Sequence, residues 1–168
     1  MNANRVAVLA MIRRSEGTVT SPVTKCGGYD VIVTGADGKP EVFTDFSTHP
    51  FAGGRAAKLI REKTTTRPAL YSTASGAYQC LLANWTHYSS LLNLADFGPS
   101  SQDAIALQQI SEFRALPLID AGDIAEALKL IAPLWASLQG AGYGQHENTT
   151  NTLIAWYVAA GGTTGAAA

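Results

Sequence analysis

The chain has little of what marks several common classes of protein. It holds two cysteines in 168 residues, Cys26 and Cys80. They are too few and too far apart for a disulfide framework or a zinc site, so two free thiols are expected. Its three histidines, His49, His87 and His146, are scattered, and none sits in a metal-ligand motif such as two histidines four apart on a helix. Neither a metal nor a cofactor is expected. A phosphate-binding glycine loop is missing as well, since the glycines around Tyr143 follow a helical stretch rather than a strand. Charge is sparse, at 15% of residues with a formal net charge of −1, which is not the distinctly basic balance of a general nucleic-acid binder. No apolar run approaches the length needed to span a bilayer, so membrane insertion is not expected. The N-terminal apolar stretch is short and runs into Arg13, Arg14 and Glu16 without a small-residue cleavage site, unlike a secretion signal. The expectation is synthesis in a cytosol, with any export by another route.

What is present starts with enough apolar residues, 46%, for one domain with a core of its own. The segment Val6 to Thr18 organises the rest. Val6, Ala7, Val8, Leu9, Ala10, Met11 and Ile12 are apolar on every side of a helical wheel, which predicts a short helix wrapped by other elements. Arg13 and Arg14 return the chain toward water, and Gly17 is a stop signal just past the last turn. Glu16 lies four residues after Ile12 and seven after Leu9, so it continues their face. A carboxyl group is thereby placed where an apolar element ends. Burial raises a carboxyl pKa, and a raised pKa suits a general acid near neutral pH. The competing reading is a surface residue at a fraying helix end.

From Pro22 to Phe46 the pattern changes to strand and turn. The β-branched run Tyr29 to Val33, a turn through Gly35 to Pro40, and Glu41 to Phe43 predict a β-hairpin leaning on helices. Pro50 to Pro68 is the least regular stretch and reads as a solvated loop. Its Arg55, Lys58, Arg61, Lys63 and Arg67 face only Glu62 locally, which suits a polar or anionic ligand. After Gly76 a helix is predicted through Asn93, with Tyr78, Leu81, Leu82, Trp85, Tyr88, Leu91 and Leu92 as its apolar stripe. Further helices are predicted from Pro99, with Ser100 and Asp103 as a capping box, and from Asp123, with Glu126 as a similar pair. Pro133 separates off a turn. The last helix runs from about Asn151 to Ala160 and buries Leu153, Ile154, Trp156 and Tyr157. The prediction is an α+β domain over residues 1–162, with a small β-hairpin lobe, a helical lobe and a cleft between them, followed by a disordered tail over 163–168.

With metals, phosphate loops and a demonstrable cysteine–histidine pair set aside, carboxylate chemistry remains. Most glycosidases use two carboxylates. The position nine residues after Glu16, an Asp in phage muramidases, is Lys25 here. Asp30, Asp37 and Asp45 follow; Asp37 lies at a turn tip, while Asp30 and Asp45 read as structural or ligand-contacting.

These segments carry a resemblance. Ser15-Glu16-Gly17-Thr18, Gly28 to Val33 and Phe43-Thr44-Asp45-Phe46 look like the N-terminal half of the lambda-type phage endolysins. The resemblance continues in order through Gly76-Ala77-Tyr78-Gln79, Ser101 to Ile110, Ala115 to Asp120, Gly122-Asp123-Ile124, and Trp135 to Leu138 with Gly140 to Gln145. It covers residues 5 to 162. The hairpin turn and the Phe51 to Ala74 loop depart from it, both reading longer here.

The resemblance implies a lysozyme-like fold and a lytic transglycosylase of peptidoglycan glycan strands. The bond cut would be the β-1,4 link between N-acetylmuramic acid and N-acetylglucosamine, with a 1,6-anhydro product. One carboxyl, Glu16, would suffice. Gln79 is expected to hydrogen-bond the substrate, and Tyr78 to pack under Glu16 or face the sugar. Tyr143 is expected to offer an aromatic contact or its hydroxyl, while Trp85, Trp135 and Trp156 are assigned to the core. Asp30 and Asp45 stand as further substrate contacts. A monomer is expected, held in the host cytoplasm until a separate holin-like protein releases it to the periplasm. The open alternatives are a hydrolytic muramidase using water, a cysteine peptidase or amidase using Cys26, and a non-catalytic cell-wall binder.

Overall fold

The structure, a computed structural model, describes residues 2–144 and 146–165. These cluster into two compact units, one formed by the described residues of 2–16 and 106–165, the other by Gly17–Ile105. In the first unit, α1 spans Ala3–Ser15, and the Asn2 side chain caps it by accepting from the Asn4 N–H. Such a cap satisfies one of the donors that a helix start leaves open. Ala7, Val8, Leu9, Met11 and Ile12 are buried, but Val6 is 48% exposed. The apolar run is therefore covered on most of its circumference rather than all of it. Around α1 pack α4 (Leu116–Ala121) and α6 (Thr150–Ala159), with α5 (Ile124–Ile131) against α4 and α6.

In α5, Ile124, Ala127, Leu128 and Ile131 are buried, as their spacing predicts. The expected cap pair at its start does not form. Asp123 makes no side-chain cap bond, and Glu126 pairs with Lys129 instead. Pro133 sits in a short 3-10 turn, Ala132–Leu134. Trp135 is buried. Trp156 is not in the core: it is half-buried, and the Arg14 guanidinium stacks over its ring at 4.7 Å. A cation on an aromatic face holds the ring at the surface.

Residues 163–165, expected in a disordered tail, are fastened to this unit. The buried Asn4 Oδ1 accepts from the Thr163 N–H at 2.9 Å, Tyr157 donates to the Thr163 carbonyl, and the Gly165 N–H reaches the Gly122 carbonyl. Residues 166–168 lie outside the described residues. Arg5 joins α1 to α4 through a bidentate pair with Asp120, at 2.7 and 2.6 Å.

In the second unit, β1 (Val31–Ile32) pairs antiparallel with β2 (Glu41–Val42), Val31 opposite Val42. The predicted hairpin is thus present in short form. The expected irregular loop is in part a second hairpin, β3 (Lys58–Arg61) with β4 (Leu70–Ser72), irregular in register between Leu59 and Arg61. Its cations are not answered by Glu62 alone. Glu41, close in space and remote in sequence, binds Arg55 at 2.5 Å and Lys58 at 3.2 Å.

The helix predicted from Gly76 begins only at Leu82, as α2 (Leu82–Leu91). Ser75 and Cys80 instead pair across a tight turn, with Gly76 at φ +77° and Gln79 at φ +50°. Left-handed backbone at both ends of four residues is incompatible with a helix. The last helix, α3 (Pro99–Glu112), begins in this unit and runs on into the other.

Asp103 does not form the expected capping box. Its Oδ1 accepts from the hydroxyls of Tyr29 at 2.8 Å and Tyr78 at 2.6 Å. Asp96 serves the helix start, accepting from the Gly98 N–H and Ser101. Beside Asp103, the buried Gln102 amide satisfies three backbone groups. It accepts from the Ala77 N–H at 2.8 Å and donates to the carbonyls of Tyr29 and Phe97. This side chain holds the 75–80 turn against α3.

The core of this unit gathers Ile32, Phe43, Phe51, Trp85, Tyr88, Phe97 and Ile105. His49 is wholly buried among them, 4.8 Å from the Phe97 ring. Its Nδ1 accepts from the Phe51 N–H, so its Nε2 carries the proton that reaches the Cys80 carbonyl at 3.0 Å. A second ring proton would have no acceptor, and burial accordingly lowers the His49 pKa below its ordinary 6.5. An unfolded chain takes up that proton below about 6.5 while the folded chain resists it. Urea unfolding should therefore show stability falling as pH drops from 6.5 toward the lower folded value, and His49→Gln should flatten that dependence.

A Cβ at Gly76 would overlap the Gln102 amide, whereas one at Gly53 meets nothing within 4 Å. Gly76→Ala is expected to lower stability by about 2 kcal/mol, measured by urea midpoint, while Gly53→Ala stays within about 0.5 kcal/mol of the parent.

Candidate active site

Glu16 closes α1 as predicted. Its N–H bonds the Ile12 carbonyl at 2.8 Å, and Gly17 follows at φ +71°. A glycine in the left-handed region ends a helix without Cβ strain. The Glu16 side chain is half-buried, and its Oε1 accepts from the Ser137 hydroxyl at 2.5 Å. Burial pushes the carboxyl pKa up, and the hydroxyl and backbone N–H of Ser137 pull it part of the way back. The net direction is upward, toward an acid that keeps its proton nearer neutral pH.

Ser137 does not stand alone. The Ser15 hydroxyl meets the Ser137 hydroxyl at 2.7 Å, and the Asn148 amide nitrogen donates to Ser15 Oγ at 3.1 Å and to the Ser137 carbonyl at 3.3 Å. None of these three was assigned a role in the sequence. Ser137 lies beyond the helix-breaking Pro133, and Asn148 reaches it only because the chain returns beside it. The Asn148 N–H bonds the Ser137 carbonyl at 2.8 Å.

Tyr143 belongs to the same unit, but its hydroxyl donates to the Pro133 carbonyl at 2.8 Å, so that proton is not offered to a reacting group. Its ring is 59% exposed, which leaves an aromatic face free for a ligand. The loop carrying it is held by Glu147, whose carboxylate accepts from the N–H groups of Gly140 and Gly142 at 2.8 and 2.9 Å. Those two bonds lower the Glu147 pKa.

The other candidates lie in the second unit. Tyr78 is buried, and burial together with the Asp103 carboxylate raises its pKa. It stays protonated, donates to Asp103, and turns no face outward to a sugar. Gln79 is half-buried, and its Nε2 donates to the Gly76 carbonyl at 3.1 Å. Its amide oxygen makes no bond among the described residues and is available to a donor. Asp30 is buried with both oxygens engaged, one by the Thr24 hydroxyl and one by the Lys25 N–H. It shapes a loop. Asp45 is fully exposed, and hydrogen bonds from the Ser47 side chain and from the Ser47 N–H hold its pKa low.

Cys26 and Cys80 are both free, as expected. Burial pushes the Cys80 thiol up to about 12, and His49 binds its carbonyl rather than its sulfur. A thiol without a base partner is inert. Among the described residues there is no group of three or more metal-ligating side chains, and no helix is long and apolar enough to cross a membrane.

Known structures share this fold. A lysozyme from bacteriophage lambda, solved in complex with a chitohexasaccharide, superposes with a TM-score of 0.82 at 47% identity, covering 98% of this chain and 97% of that one. A second structure of lysozyme from bacteriophage lambda gives 0.78 at 46% identity with the same coverage. The fold is therefore the lysozyme-like α+β fold. Sequence comparison narrows this further. The endolysin of Escherichia phage P2 is 51% identical over 95% of this chain and 93% of its own length, and that of Escherichia phage lambda is 48% identical over 97% and 94%. With the endolysin family model matching residues 6–164, this chain belongs to the endolysin family.

A carboxyl whose folded pKa is raised destabilises the native state once it ionises, because the unfolded chain releases its proton more readily. Glu16→Gln is accordingly expected to raise the urea midpoint at pH 7. The same variant should lower lytic activity on murein by a factor of about 100 or more. A midpoint that falls, or activity that survives, would contradict the acid role.

Proposed function

We propose that this endolysin cleaves the β-1,4 bond between N-acetylmuramic acid and N-acetylglucosamine in peptidoglycan as a lytic transglycosylase, during lysis of the host cell. The observation that carries this reading is a lone carboxyl, raised by burial and hydrogen-bonded to a serine rather than to a second acid. Asp30, the buried carboxylate of the β lobe, has both oxygens occupied, which makes it a poor nucleophile or base.

Protonated Glu16 donates to the bridging oxygen as the C1–O4 bond breaks and positive charge develops at C1. The resulting carboxylate takes the proton from the C6 hydroxyl of the same muramic acid while its oxygen bonds to C1. The proton count closes, no water is consumed, and a 1,6-anhydro end results. Because the nucleophile belongs to the substrate, its effective concentration is that of an intramolecular reaction.

The chitohexasaccharide held by the lambda lysozyme supports a glycan-chain ligand for this chain also. The Gln79 amide oxygen in the second unit, and the exposed Tyr143 ring in the first, are each a group suited to a sugar. The cationic β3–β4 hairpin is suited to carboxylates along the glycan. The protein works as a monomer, waits in the host cytoplasm and acts in the periplasm after a separate holin-like protein opens the inner membrane.

Mass spectrometry of digested murein tests the reaction. Anhydro ends, lighter than reducing ends by one water, are expected. Reducing ends alone would make the enzyme a hydrolytic muramidase, and free amino groups would point to an amidase or peptidase.

A further inference from the structure

The serines and asparagine beside Glu16 form a chain whose direction is fixed by its far end. Asn148 presents its side-chain amide to the Ser137 carbonyl at 3.3 Å. A carbonyl can face only the NH2 side of that amide, because the oxygen side would set two acceptors together. The same NH2 group then donates to Ser15 Oγ at 3.1 Å. Ser15 has its own proton left to give, and the Ser137 hydroxyl lies at 2.7 Å. Ser137, already accepting, has its proton directed to Glu16 Oε1 at 2.5 Å. The Ser137 carbonyl is a second, longer acceptor for the Ser15 proton at 3.4 Å, and the 2.7 Å contact to the Ser137 hydroxyl is the shorter of the two, so along the shorter contacts each hydroxyl is oriented by its predecessor.

The framework that holds the chain is rigid at both ends. Ser15 and Glu16 are consecutive at the end of α1, and the backbone N–H of Asn148 fixes its own segment to the Ser137 carbonyl.

We propose that Asn148, Ser15 and Ser137 are positioning residues that make Glu16 Oε1 a permanent hydrogen-bond acceptor and so confine the exchangeable proton to Oε2. This deepens the acid–base reading above and rests on it. An acid that must give a proton and then retrieve another from the same substrate benefits when both transfers use one oxygen. The carboxyl then need not rotate between the steps. The Ser137 proton stays on Ser137 throughout, so the chain moves no net charge and acts only on where the Glu16 proton resides and how readily it leaves.

Direct titration of the Glu16 side-chain carboxyl by carbon-13 NMR, in the free protein, tests the relay without reference to the product formed. Loss of a hydrogen bond to the ionised form raises a carboxyl pKa. Ser137→Ala is expected to move the Glu16 midpoint upward by about one pH unit, and the alkaline limb of kcat/KM should move with it. Ser15→Ala and Asn148→Ala should shift both in the same direction by less, because the Ser137 hydroxyl is then free to turn away. KM for glycan should change little beside kcat. Ser137→Cys, a weaker donor of similar size, should fall between parent and Ser137→Ala and provides the measurement if the alanine variant does not fold.

An unmoved or lowered midpoint in the Ser137 variants would overturn the proposal at its first link. A shift in those variants with none in Ser15→Ala and Asn148→Ala would overturn the relay. Production of reducing ends by the parent would defeat the transglycosylase reading while leaving the titration result standing, so the two failures are distinguishable.

Discussion

The Glu16 carboxyl has to satisfy two opposed demands, and much of the first unit follows from how they are reconciled. An acid of use near neutral pH must be partly removed from water, but a carboxyl removed from water without partners destabilises the fold around it. Closing α1 on Glu16 meets the first demand, since the buried face of Leu9 and Ile12 continues to that residue. Ser137 meets the second with neutral donors alone, its hydroxyl and its backbone N–H. A lysine or arginine there would have drawn the pKa below the ordinary carboxylate range and left no acid. The Arg13 and Arg14 pair close by along the chain is not among the causes of the Glu16 shift, and Arg14 is engaged with the Trp156 ring.

The second unit is organised around neutral hydrogen bonds of a different kind. Gln102 joins the 75–80 turn, the segment before β1 and Phe97, two residues before α3, through three backbone groups. Asp103 beside it collects two tyrosine hydroxyls. One turn of α3 therefore sets the backbone at Gly76 to Gln79, including the left-handed Gln79 that leaves its amide oxygen unpartnered. A non-glycine residue at positive φ has a conformational cost, and it is held there by the Ser75–Cys80 pairing on either side. Residues that look like the start of an amphipathic helix become a rigid turn because their tertiary partners outweigh a marginal local preference.

Most of the differences between expectation and structure share one cause. The β3–β4 hairpin was not legible because its alternation is short, its turn at Thr64 to Arg67 has no glycine, and its cations suggest a solvated loop. Its stabilising partners, Glu41 for Arg55 and Lys58 and the Ala36 N–H for the Leu59 carbonyl, lie far off in sequence. The capping pairs at Ser100/Asp103 and Asp123/Glu126 satisfy a local rule, but Asp103 and Glu126 found better partners. Trp156 has core spacing yet stacks under Arg14, and residues 163–165 have tail composition yet close on the buried Asn4. Apart from Glu126, whose partner Lys129 is three residues on in the same helix, a contact from elsewhere in the chain decides the outcome against a short-range pattern.

By itself the sequence determined the long, locally encoded features: α1 and its glycine stop, the periodic face of α5, the break at Pro133, and a carboxyl at the end of an apolar helix. Segment by segment, it also carried the likeness to lambda-type endolysins. Only the tertiary structure decided that Glu16 meets a serine, that Ser15 and Asn148 stand behind that serine, and that Asp30 is fully engaged in its own loop. Helix periodicity and caps depend on residues within one or two turns of each other and so are written along the chain. A hydrogen-bond chain from residue 148 through 15 and 137 to 16 depends on distances that exist only after the chain has folded back on itself.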